Sequence, residues 1–284
     1  MLLHAGIKKH VLIVTNMREE PYIETVRAFK KRFASNRNIH FTELSSSQID
    51  LVNSRQLKPD LIFTLGNEAT KWASTQGYKT PVISTLDFSD DFFLKSKNIT
   101  GVKMYYSLNT QLMWLKNIFR HIKRVGVLYN PRENALLPAH VKTIGQQAGL
   151  DIITVPVTAP RELPSALGQL RNKTEVLLAI PDKTIYSETS MNEIFLFSFR
   201  NKLPLIGLAD NWTRSGAIYS LSWDFVDLGR QCADLAAKII NGTPVQSIAP
   251  EYPRKVAFTF NTKVAERMKI DISKKILSSA KMVF

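Results

Sequence analysis

The chain carries few of the residues on which covalent or metal chemistry is built. It has one cysteine, Cys232, and five histidines, at positions 4, 10, 40, 121 and 140, in 284 residues. A single thiol excludes an internal disulfide, and the histidines show no zinc-ligand spacing. Cys232 falls within the helical stretch Asp227–Ile240, where a buried, inert thiol is expected. Glycine-rich phosphate loops are also missing. The turn Gly66-Asn67-Glu68-Ala69-Thr70 holds one glycine, so it is neither a dinucleotide fingerprint nor a Walker loop. No Gly-x-Ser-x-Gly elbow occurs. No cofactor, metal or catalytic residue is therefore expected. No apolar run approaches the roughly 18 residues of a membrane span. The start, Met1 to Gly6, is too short and too polar for the apolar core of a signal peptide. A cytosolic protein or a mature, trimmed chain is left.

The formal charge is +14. The basic residues are dispersed (Lys8-Lys9, Lys30-Lys31-Arg32, Lys95 and Lys97, Arg120–Arg124, Lys274-Lys275), and no zinc finger, RNP sequence or basic helix joins them. They read as a solvated face, and nucleic acid is not an expected partner.

Seven short apolar runs organise the chain: His10–Val14, Leu61–Leu65, Val82–Ser84, Val125–Leu128, Ile152–Val155, Val176–Ile180 and Leu205–Leu208. Most are followed by a polar turn and then by helical spacing. Runs this short and this rich in Val, Ile and Leu predict buried parallel strands with helices on both faces. Helices are predicted over Glu20–Phe33, Ser45–Leu57, Glu68–Thr75, Ser107–Ile118, Ala135–Ala148, Leu163–Arg171, Ser187–Arg200 and Asp227–Ile240. Pro250–Phe260 reads as a strand, and Ala265–Met268 and Ile272–Ala280 as closing helices. The pattern breaks after Val102 and again near Asp224. Two α/β lobes follow, one from 1–107 plus about 224–245, the other from 108–223 plus about 246–284. Crossings are expected near 104–110, 220–226 and 244–252.

In open α/β sheets ligands sit beyond the carboxyl ends of the strands. The turn residues there are Asn16, Gly66, Asn67, Glu68, Ala69, Asp87, Asn130, Asp182, Asp210 and Asp224. Free N–H groups and the positive helix end at Gly66–Thr70 favour a ligand carboxylate, although Glu68 opposes it. Each aspartate either caps a helix or serves as counter-charge to a ligand ammonium or hydroxyl. Asp182 is expected to face the ligand, with little part in stability. Trp212, Trp223 and Phe225 flank Asp210 and Asp224, as aromatic walls or as packing.

Three blocks of residues carry a family resemblance. One is Val125-Gly126-Val127-Leu128-Tyr129-Asn130-Pro131-Arg132-Glu133-Asn134. The second is Gly216-Ala217-Ile218-Tyr219-Ser220-Leu221, followed by Asp224-Phe225 and Leu228-Gly229-Arg230-Gln231. The third is the tail Asn261-Thr262-Lys263-Val264-Ala265 with Ile276-Leu277. With Asn98–Val102 and Pro181-Asp182, they resemble the ABC-transporter substrate-binding proteins related to the tryptophan/tyrosine-binding group. The resemblance spans about residues 8–284 and is closer in the second half. It implies the type I periplasmic-binding-protein fold: two Rossmann-like lobes with parallel sheets, a three-strand hinge and a ligand held in the interlobe cleft. It also implies an aromatic or other amino-acid ligand, an ABC permease partner, a monomer, and a periplasmic or extracytoplasmic mature chain. This chain departs from its relatives at Asn67-Glu68, where they have a small uncharged pair, and at Leu86-Asp87-Phe88. A sensory domain feeding a membrane signalling partner, and a two-lobed α/β enzyme such as a sugar-nucleotide epimerase, remain alternatives.

Overall fold

A computed structural model describes residues 8–15, 18–45, 48, 57–75 and 79–284. The chain divides into two units. The first comprises Met1–Tyr105 and Trp223–Lys255, the second Tyr106–Ser222 and Val256–Phe284. The chain thus passes between them three times, at 105/106, 222/223 and 255/256.

Five strands form the sheet of the first unit: β1 (Lys9–Thr15), β2 (Ile39–Ser45), β3 (Leu61–Leu65), β4 (Val82–Thr85) and β5 (Ile99–Gly101), in the order β2-β1-β3-β4-β5. All four pairings are parallel. The central strands β3 and β4 are buried along their whole length. Their apolar side chains enter the core on both faces, where hydrophobic burial contributes about 25 cal/mol per Å² of apolar surface. One face packs Leu12, Val14, Ile62, Val82 and Ile99 against Ala69 and Ala73 of the helix Asn67–Thr75. On the helix Glu20–Arg32, Phe29 stacks on Phe63 at 4.1 Å. That helix starts with Pro21 in its first turn and ends on Lys30-Lys31-Arg32, each where the missing N–H or the negative helix end favours it.

The helix Phe225–Ile240 returns the chain to this unit. It approaches Glu20–Arg32 so closely that a Cβ on Gly229 would lie 2.2 Å from the Thr25 carbonyl oxygen. Only glycine permits that contact. Cys232, on the buried face of the same helix, has its thiol pKa pushed far up by burial, which keeps it protonated.

The sheet of the second unit has seven strands: β6 (Arg124–Tyr129), β7 (Asp151–Pro156), β8 (Val176–Leu178), β9 (Leu205–Gly207), β10 (Tyr219–Trp223), β11 (Val256–Phe260) and β12 (Met282–Val283). Their order is β12-β11-β10-β9-β8-β6-β7. The pairs from β7 to β10 are parallel. Asn261, just past β11, donates its N–H to the Ile218 carbonyl, just before β10, so β11 runs against β10. β12 follows β11 in parallel. The core beneath β6–β9 gathers Leu128, Val155, Leu167, Leu177, Ile194 and Leu205.

Most predicted elements are present within a few residues of their expected ends. β2, β10, β12 and the short helices Asp91–Lys95 and Asp210–Ser215 were not expected. The helix expected over Ser45–Leu57 and the site residue Asn16 lie largely or wholly outside the described residues. The segment 246–255 groups with the first unit rather than the second. Its hydrogen bonds explain why. Thr100 Oγ1 donates to the Ile248 carbonyl, Glu251 bridges Val102, and Gln231 Nε2 donates to the Tyr252 carbonyl. The strand read over Pro250–Phe260 accordingly begins only at Val256.

Candidate functional site

The sheet order places a switch point in each unit, where neighbouring strands lead to helices on opposite faces. In the first unit it lies between β1 and β3, beside Gly66. Gly66 has φ +91, and a Cβ there would meet the Tyr22 hydroxyl at 3.5 Å. Its N–H donates to the Thr85 carbonyl. Asn67 and Glu68 are exposed in the first turn of the following helix, while Ala69 is buried and serves packing. Asn67 Nδ2 lies 3.3 Å from both oxygens of Asp87. Asp87 is 5% exposed and also accepts the Ser89 N–H at 2.9 Å. Desolvation raises its pKa above the usual carboxylate range, and Asp91 and Asp90 add repulsion that the Ser89 and Asn67 donors do not offset. Next to it Phe88 is 67% exposed and stands edge-on to the Trp223 ring at 5.7 Å.

The ligand carboxylate expected at Gly66–Thr70 would share this edge with two protein carboxylates, Glu68 and Asp87. Glu68 stands in the first turn of the helix Asn67–Thr75, Asp87 contacts the Asn67 side chain, and the field of a helix end is worth only about 0.3–1 kcal/mol.

In the second unit the switch point lies between β6 and β8, beside Asn130 and Asp182. Both are buried, and both are consumed by the scaffold. Asp182 Oδ2 accepts the Asn130 N–H at 2.7 Å and Asn134 Nδ2 at 2.9 Å. Its Oδ1 accepts the N–H groups of Thr184 at 3.1 Å and Ile185 at 3.0 Å. Four donors fill the four acceptor sites of a carboxylate. Asn130 Oδ1 accepts the Arg132 N–H at 2.8 Å. The neighbouring Glu133 locks the same turns, accepting from Lys183 N–H and from Thr184 N–H and Oγ1. Where the sequence reading gave Asp182 a ligand ammonium and little part in stability, the structure gives it four donors of the protein itself.

Asp224 is also a structural group. It caps the helix Phe225–Ile240 through the Asp227 N–H at 2.8 Å and pairs with Lys255. Partial burial raises its pKa, but the Lys255 ammonium and the Asp227 N–H overcome this and hold it below the usual range. Asp210 differs. Ser222 Oγ donates to its Oδ2 at 2.8 Å, and Lys281 Nζ lies 3.6 Å from the same oxygen. Asp210 Oδ1 is shielded from water and takes no hydrogen bond among the described residues. The structure thus joins Asn67 to Asp87, joins Asn130 to Asp182, and sets Asp210 beside two residues the sequence reading missed, Ser222 and Lys281. Tyr22 and Phe88 are further omissions.

The family profile described as ABC transporter substrate binding protein matches residues 45–284. The chain belongs to that family. A curated relative, the tyrosine-binding protein of Clostridioides difficile (strain R20291), is 24% identical over 200 residues, covering 67% of this chain and 57% of the relative. The chain thus spans a little over half the length of that relative. Among solved structures, a ligand-free, open substrate-binding protein with adhesive properties from Clostridium difficile aligns over 97% of this chain and 99% of its own, with TM-score 0.72 and 19% identity. An ABC domain in complex with L-Trp from Streptococcus pneumoniae aligns over 98% of this chain and 100% of its own, with TM-score 0.60 and 17% identity. The fold is that of two-lobed type I periplasmic binding proteins. The family and these neighbours are substrate-binding proteins, not enzymes.

Two stability measurements test the roles given to the aspartates of this substrate-binding protein. Asp182→Ala strands four donors, so it should lower the unfolding free energy by about 2–3 kcal/mol. An unchanged urea midpoint would contradict this structural role and favour the ligand-facing one. Asp87 has the opposite sign. Its pKa is raised in the folded state, so its ionisation opposes folding as pH rises through that range. Asp87→Asn should be more stable than wild type at neutral pH. The gain should shrink as pH falls and disappear only below about pH 3, well under the unfolded-state value of about 3.9, where both states carry a protonated Asp87. A gain that persists at low pH would show that ionisation is not its source.

Proposed function

We propose that this protein captures an amino acid with an aromatic side chain, outside the cytoplasm, and presents it to an ABC permease for import. The observation that carries the reading is the exposed Phe88 ring, seated edge-on against Trp223 and beside the buried, underpartnered carboxylate of Asp87. Aromatic pairs favour edge-to-face and offset geometry and contribute about 0.5–1.5 kcal/mol beyond area burial. Phe88 offers such a face to a ligand ring. Asp87 and Asn67 at the same strand ends accept a hydrogen bond from a ligand hydroxyl or ammonium. The tyrosine-binding relative and the L-Trp complex support the same ligand class.

Phe88→Ala should reduce affinity for L-tyrosine or L-tryptophan about tenfold, on the scale of one aromatic contact. Because Phe88 is largely exposed, the thermal midpoint should stay unchanged. Titration calorimetry with L-tyrosine, L-tryptophan, L-leucine and D-ribose provides the test. Tight binding of the sugar with no response to any amino acid would overturn the reading.

A further inference from the structure

The reversal of β11 has a chemical result. Because β11 and β12 run against β10, the residue just before β12 arrives at the carboxyl ends of β9 and β10. That residue is Lys281. Its Nζ donates to Ser222 Oγ at 3.0 Å and lies 3.6 Å from Asp210 Oδ2. Asp210 opens the helix Asp210–Ser215 that follows β9, and Ser222 lies near the end of β10. One edge of the second unit therefore holds a carboxylate and an ammonium side by side, bridged by a hydroxyl.

Lys281 does not saturate Asp210. Their separation exceeds hydrogen-bond distance, so the ion pair is loose. Asp210 Oδ2 takes the Ser222 hydroxyl, while Oδ1 has no donor among the described residues. Such acceptors are uncommon in folded proteins, where shielded polar groups are nearly always paired. Asp182, on the same unit, shows the contrast, with four donors on its two oxygens. Both the Asp210 and Lys281 side chains are 36% exposed, so a modest rotation presents Oδ1 to an incoming group. The pair is neutral as a whole. A lone cation would meet Lys281, and a lone anion would meet Asp210. A ligand bearing both charges close together satisfies each. An α-amino acid has this form, with its ammonium and carboxylate on one carbon and roughly 3 Å apart.

We propose that Asp210 and Lys281 together read the α-amino-acid headgroup, Asp210 Oδ1 accepting from the ammonium and Lys281 Nζ donating to the carboxylate. The assignment rests on the amino-acid reading above. It gives the ligand carboxylate a cation within the second unit. Lys281 thereby determines specificity: it separates amino acids from the amines that lack a carboxylate.

Calorimetry on the full chain with L-tryptophan, tryptamine and L-tryptophanamide tests this, using wild type, Lys281→Met and Lys281→Arg. Thermal unfolding of each variant shows that it is folded. Wild type should bind L-tryptophan at least about tenfold more tightly than tryptamine or the amide, since both lack the carboxylate that a charged donor recognises. Lys281→Met should lose about tenfold for L-tryptophan and nothing for tryptamine, so the preference collapses. Lys281→Arg should keep the preference, because the charge remains. A Lys281→Met protein that still prefers L-tryptophan as wild type does would overturn the assignment, as would a wild type that binds tryptamine equally well. Both results leave the amino-acid reading standing. A wild type that binds no amino acid removes that reading and the headgroup assignment with it.

Discussion

Strand direction is the constraint on which the rest of this structure depends. A chain that lays down parallel strands must cross back after each one, and every strand-to-helix turn then falls on the same edge of the sheet. In the first unit all five strands obey this, so Gly66, Asn67, Asp87 and Phe88 share one edge although up to 22 positions separate them in sequence. In the second unit β6 to β10 obey it and bring Asn130, Asp182 and Asp210 to one edge. The single reversal, at β11, adds Lys281 from the far end of the chain. Close helix packing supports this arrangement in the first unit. Gly229 lets Phe225–Ile240 lie directly on the Thr25 backbone, which anchors the returning chain.

The carboxylates at these edges divide by the number of donors around them. Asp182 and Asp224 are surrounded by N–H groups or a lysine and act as parts of the backbone's own hydrogen-bonding system. Asp87 is buried with few contacts, and desolvation raises its pKa beyond what those contacts offset. Asp210 has one oxygen with no donor among the described residues. A group whose hydrogen bonds are complete has little to gain from a ligand, whereas an underpartnered one recovers part of its desolvation penalty when a donor arrives.

Position at a strand end was what the sequence could reveal. Buried strands such as Leu61–Leu65 announce themselves by composition, and the helix Phe225–Ile240 by its apolar spacing, so the α/β architecture and the family were legible. β2 was not. Ile39–Ser45 alternates polar and apolar residues on a sheet edge and buries none of them fully. β10 was hidden for a different reason: Ser220 and Ser222 look like surface residues but are buried, and Ser220 Oγ accepts from Thr213 Oγ1 while Ser222 Oγ serves Asp210. The aspartates were all visible as candidates, yet their roles depend on partners 10 to 50 or more residues away, such as Asn130 for Asp182. Lys281 had no local signal at all. Only the direction of β11 places it, and a five-residue strand does not declare its direction.

The central claim is that a zwitterionic aromatic amino acid is the cargo. Native mass spectrometry of the protein purified from its expression host, without added ligand, addresses it most directly. The account predicts a bound species with the mass of an aromatic amino acid, displaced by added L-tyrosine or L-tryptophan. A bound sugar or other uncharged species that neither amino acid displaces would contradict it.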